Sequence, residues 1–157
     1  MKLLFRSLFW TFFCPGTVAL LIPYLILKTW RHPAIESWAI NQYAGLGLVM
    51  AGMVGLGWCI YYFAKAGNGT LFPLDPAQKL LIGGLYRYVR NPMYLSVLGV
   101  ILGEILFYNS TFLVVYGGLV FFAFHLFITL YEEPYLRKTF GKEYDDYCEK
   151  VSRWFPG

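Results

Sequence analysis

Four long apolar runs constrain this chain more than any other feature of its sequence. Leu3–Leu27 carries one charge, Arg6, near its start; Ile40–Ala64 carries none. Met93–Tyr108 carries Glu104 alone, and Thr111–Tyr131 carries no charge and one histidine, His125. About 20 mostly apolar residues cross a bilayer as a helix, so three runs are long enough and Met93–Tyr108 must borrow length from its flanks. Composition agrees: 58% of residues are hydrophobic, 20% aromatic and 14% charged, where a soluble domain carries about 25% charge. The expected fold is all-α, a multi-pass membrane helical bundle of about four transmembrane helices plus a C-terminal interfacial helix. Residues 1–157 are read as one domain. The Tyr108-Asn109-Ser110 link predicts a tight hairpin between the last two spans. The first run is longer than a signal-peptide core, with no small-residue cleavage site after a short core, and is read as a span.

Charge placement predicts the orientation. Lys2, Arg6, Lys65, Lys79, Arg87, Arg90, Arg137, Lys138, Lys142, Lys150 and Arg153 fall on one side of the spans, and Lys28 and Arg31 on the other. The positive-inside rule puts both termini and the polar loops in the cytoplasm. The net charge of +4 then reflects topology and anionic lipid, and no nucleic-acid motif accompanies it. Cys14, Cys59, Cys148, His32 and His125 are too scattered for a metal or redox site.

The polar chemistry gathers on the inner face. In the loop KAGNGTLFPLDPAQKLLIGGLYRYVRNPMYL, Asn91 suits a helix N-cap and Pro92 the first helical position. Arg87, Tyr88, Arg90 and Tyr94 crowd the same helix end, which fits either headgroup contact or an anion such as a carboxylate. The fourth run ends in Glu132, Glu133 and Pro134. Acids at the negative end of a helix dipole, close to hydrocarbon, are costly, and proline disfavours helical geometry at the residue before it. Two readings stay open: an ion pair from Glu133 to Arg137 four residues on, or a cation site facing the RNPMY helix start. His125 shares a helix face with Glu132 and is either a packed histidine or a base. Glu104 reads as a packing residue. Gly55 and Gly57 permit either close helix packing or close approach to a ligand, and Gly67-Asn68-Gly69 reads as a turn. In the tail, Tyr144, Tyr147, Val151 and Trp154 recur at helical spacing, as an interfacial helix or as a lid over the site.

RNPMY, a two-span hairpin, LYEEPYL and FGKEYDDYCEKVSRWFP together resemble the integral-membrane methyltransferases: the phospholipid N-methyltransferases and the isoprenylcysteine carboxyl methyltransferases. The resemblance implies S-adenosylmethionine as methyl donor and places Glu132, Glu133, Asn91, Pro92, Met93 and Tyr94 in its pocket. It adds Gln78, Lys79, Leu80, Leu81 and Tyr86 from the carboxyl methyltransferases, and Gly55 and Gly57 from the phospholipid enzymes. Arg90, Tyr94 and Glu132 are the expected catalytic residues. The expected acceptor is a lipidic, phosphatidylethanolamine-type amine, with an isoprenylcysteine-like carboxyl or a small thiol as the alternative. No metal is implied. The rival classes are an NADPH-dependent membrane reductase and a non-enzymatic scaffold.

Overall fold

The computed structural model describes residues 12–30, 38–66 and 80–155. The start of the first apolar run, His32, the Gly67–Gly69 turn, Gln78 and Lys79 lie outside them. Every regular element among the described residues is helical. A π-helix at Phe12–Leu21 continues into an α-helix at Ile22–Thr29, together α1. There follow α2 (Ile40–Ala66), a 3-10 turn at Gly84–Arg87, α3 (Pro92–Tyr108) and α4 (Thr111–Phe127). A π turn at Ile128–Glu132 leads into α5 (Glu133–Phe140), and α6 spans Lys142–Lys150.

Two stretches, Ile40–Phe63 and Thr111–Phe140, are long and apolar enough to cross a bilayer, while Pro15–Thr29 and Pro92–Tyr108 are shorter apolar helices. Only 17% of the most apolar window in each long stretch is buried inside the protein, so these are not the core helices of a soluble domain. Their apolar side chains, such as Val54, Leu119 and Leu130, point outward, as lipid-facing residues do. The chain is an all-α membrane bundle.

The helices stack by close backbone approach. A Cβ at Gly45 would lie 2.6 Å from the Gly103 carbonyl oxygen, and one at Gly103 would lie 2.6 Å from that of Gly45. Gly52 meets Ser96 and Val100 in the same way. This seam of small residues joins α2 to α3, as expected where dispersion must substitute for a hydrophobic drive. A Gly103→Val protein is expected to lose at least about 2–3 kcal/mol from overpacking against rigid backbone, read as a lower melting temperature in detergent. Val97, Val100, Ile101 and Val120 form the core between α3 and α4, with Leu56 and Ala19 closing it.

The predicted hairpin is present. Asn109 takes the left-handed conformation (φ 50°, ψ 42°) and ends α3, and extended Ser110 begins α4. Tyr116 Oη donates to the Val18 carbonyl at 2.7 Å. In the wide ladder of α1 the residue five positions beyond Val18 is Pro23, which has no N–H to offer.

Two sequence expectations need correction. Pro134 does not end the fourth helix: Glu133 has helical dihedrals (φ −64°, ψ −44°). The π turn just before the proline widens the ladder, so the ring is accommodated and the helix runs on. The acids therefore sit at a junction rather than at a helix C-terminus. The tail helix also stops early, at Lys150, with Val151 extended (φ −128°, ψ 124°). Tyr144, Tyr147 and Val151 still share one buried face, against Leu80, Leu136 and Phe140.

Candidate functional site

One end of the bundle collects the last turns of α2, the 3-10 turn, the start of α3, the π turn, α5 and the chain after α6. Pro92 occupies the first turn of α3, as expected, but Asn91 makes no side-chain cap. Its Nδ2 donates instead to the Arg153 carbonyl at 3.3 Å, so buried Asn91 ties the helix start to the tail.

The adjacent acids diverge because successive helical residues point about 100° apart. Glu132 faces α3: Tyr94 Oη donates to its Oε2 at 2.8 Å. The Tyr94 ring is braced edge-on by Phe124, with centroids 4.8 Å apart. Glu133 faces the tail and is buried. Arg153 grips it with both arms, Nε to Oε1 and Nη2 to Oε2, each at 2.8 Å. Arg90 Nη1 lies 3.2 Å from the same Oε1 and donates to Cys148 Sγ at 2.8 Å. The pairing of Glu133 with Arg137, one of the two readings left open by the sequence, does not occur. Arg137 instead bonds Asp145 at 3.0 Å on the exposed surface, because α5 turns that side chain away toward α6.

Two guanidiniums thus surround one carboxylate, and Arg90 Nε is buried with no hydrogen-bond partner among the described residues. The cluster carries a surplus positive charge beside Glu132. Hydrogen bonds from Arg153 to Glu133 hold that guanidinium above its already high range. Burial pushes the phenols of Tyr86, Tyr144 and Tyr147 up, that of Tyr147 to about 12. They are neutral near pH 7, and Tyr147 Oη donates to the Tyr86 carbonyl at 2.6 Å.

Aromatic rings wall this end. Trp58 stacks on Tyr62 with centroids 4.9 Å apart, and Tyr62 lies 6.1 Å from Tyr86. Tyr86 is near enough to feel the charge of Glu132. Gly84, at φ 60°, lets the 3-10 turn pass under Trp58, whose indole would overlap any side chain placed there. Neither Trp58 nor the Gly83-Gly84 pair stood out in the sequence, although a double glycine just before a basic-aromatic cluster is the signal that could have marked it.

Among the sequence candidates, the structure brings Tyr86, Arg90, Asn91, Pro92, Tyr94, Glu132 and Glu133 to one end. Met93 packs against the core, and Leu80 packs under α6. Half-buried Leu81 leads into the 3-10 turn. Gly55 lies on the α2–α3 seam, where a Cβ would be 2.7 Å from Ser96 Oγ, whereas Gly57 opens outward with nothing nearby. The two glycines do not line one pocket among the described residues. Tyr94→Phe, which removes the hydroxyl that orients Glu132, is expected to cost about 1–2 kcal/mol in ligand affinity, measurable by titration against the wild type.

With this geometry in hand, comparison with known proteins places the chain. Residues 40–143 match the family model described as phospholipid methyltransferase. The chain belongs to this family. That match covers α2 to the start of α6, including the elements that carry Arg90, Tyr94, Glu132 and Glu133, and ends before Arg153. Two curated proteins, each a probable protein-S-isoprenylcysteine O-methyltransferase, from Oryza sativa subsp. indica and subsp. japonica, are 29% identical to it over 130 residues. The alignment covers 79% of this chain and 65% of those relatives. No solved structure matches.

Proposed function

We propose that this member of the phospholipid methyltransferase family transfers a methyl group from S-adenosylmethionine to a lipidic acceptor, favouring a phosphatidylethanolamine-type amine. The observation that carries the reading is the Tyr94–Glu132 pair beside the Arg90–Glu133–Arg153 cluster at one end of an apolar bundle. The donor supplies an electrophilic methyl on a sulfonium and also bears an ammonium and a carboxylate. Glu132 is the acid of the adjacent pair that no guanidinium among the described residues engages, and it suits a cation. The surplus positive charge and the orphaned Arg90 Nε suit a carboxylate. Tyr94 orients Glu132, and the Trp58–Tyr62–Tyr86 rings give an onium group an aromatic neighbour. Methyl transfer is an in-line displacement, so holding both partners in register supplies much of the rate. An amine acceptor also releases a proton, for which Glu132, His125 and Tyr94 are the candidate receivers.

The basic residues of this end support a cytoplasmic site with both termini inside. Likeness to the rice proteins favours a second acceptor, an isoprenylcysteine-like carboxyl group. Calorimetric titration of the detergent-purified protein with S-adenosylmethionine, with NADPH as comparator, tests the reading. Saturable binding of the first alone is expected, followed by methylation of phosphatidylethanolamine in vesicles. Methylation of a farnesylcysteine analogue instead would select the carboxyl acceptor. Binding of NADPH alone would overturn the proposal in favour of a reductase, and binding of neither would favour a scaffold.

A further inference from the structure

The chain beyond α6 turns back across the site. Ser152 accepts a backbone hydrogen bond from Arg90 N–H at 2.9 Å, and the Arg153 carbonyl accepts from Asn91 Nδ2. The Trp154 ring lies 5.3 Å from Phe121 and 6.4 Å from His125 on α4. Val151, buried with Tyr144 and Tyr147, anchors the near end. Residues 151–154 therefore form a strap from α6 over the start of α3 to the flank of α4.

The charged group on this strap is aimed with care. The planar fork of Arg153 meets both oxygens of Glu133 at 2.8 Å, while Arg90 reaches one of them at 3.2 Å. A bidentate guanidinium–carboxylate pair fixes direction as well as charge, which the point charge of a lysine cannot do. Glu133 is the peptide neighbour of Glu132 at the exit of the π turn. Holding its carboxylate holds the backbone from which Glu132 projects toward Tyr94.

We infer that Arg153 is a positioning residue: its two-armed grip on Glu133 withdraws that acid from the ligand and leaves Glu132 alone presented to the donor's cation. This rests on the methyltransferase reading above. Arg137 provides the contrast. It pairs with Asp145 while more than half exposed, a surface contact that orients nothing in the site.

The test titrates S-adenosylmethionine into the full chain, wild type and variants, with a melting curve for each. Arg153→Gln is expected to weaken binding about tenfold, as small misplacements of binding groups do. Arg153→Lys restores the charge without the fork and should recover only part of that loss. Glu133→Gln should match Arg153→Gln, and the double variant should bind no more weakly than either, because both changes break one coupling. Arg137→Gln should bind as the wild type. If Arg153→Gln does not fold, Arg153→Lys carries the test, with a loss of about threefold expected. A folded Arg153→Gln within threefold of the wild type, an Arg153→Lys indistinguishable from it, or losses that multiply in the double variant overturn the assignment while the methyltransferase reading stands. A wild type that melts cooperatively yet binds no donor overturns both.

Discussion

Glu132→Gln is expected to remove donor binding and turnover while leaving the protein folded. The amide keeps the shape of the side chain and can still accept from the Tyr94 hydroxyl, now 2.8 Å from Oε2, so packing changes little. What disappears is the negative charge opposite a cation. Truncating one partner of a buried charge pair costs about 2–5 kcal/mol, much of it the penalty of leaving the other charge unpaired. That is roughly 30-fold to a few thousand-fold in affinity. Titration of the variant beside the wild type reads the effect directly. A variant that binds within threefold of the wild type would take Glu132 out of the site. The expected effect of Tyr94→Phe is much smaller, because the tyrosine acts on the ligand through the acid.

Glu133→Ala, one residue along, is expected to damage stability as well as the donor binding that depends on the grip of Arg153. Removing the carboxylate leaves two guanidiniums face to face, those of Arg90 and Arg153, with side chains 14% and 28% exposed. Breaking a buried pair from one side costs about 3–5 kcal/mol. Arg153 retains some water, which places this case near the lower end, at about 3 kcal/mol. For a chain of this size the melting temperature should fall by roughly 6–12 °C, measured in detergent with and without added salt. Salt should rescue little of the loss, because a half-enclosed cluster is poorly screened. A fall of less than about 2 °C would mean that solvent replaces Glu133 without difficulty.

The two neighbouring acids have different partners, and that difference marks how far the sequence could be read. The pair was legible as an anomaly, because acids beside an apolar run are expensive wherever they lie. The division of partners was not. It depends on the π turn at Ile128–Glu132, which arises where a proline must fit into a continuing helix, and local preference at Glu133 pointed to a helix end instead. The partner of Glu133 was hidden as well. Arg137 had the right spacing within one helix, but Arg153, 20 residues away, wins because the chain reverses at Gly141 (φ 54°) and again after Lys150. The double glycine at Gly83-Gly84 was the only local mark of the Trp58 contact, since that contact joins two elements that only packing brings together.

The sequence alone determined the solvent, the all-α character of the chain, the Asn109-Ser110 hairpin and the family. Each of these rests on composition, run length or contiguous motif, properties a residue carries without knowing its distant neighbours. The tertiary structure decided that Glu132 meets Tyr94 while Glu133 meets Arg90 and Arg153, why Asn91 reaches the tail rather than capping its own helix, and why Gly55 packs while Gly57 opens outward. Those outcomes depend on where a side chain points after the helices have docked. Direction in space, unlike hydrophobicity, is set by contacts between residues far apart in the chain.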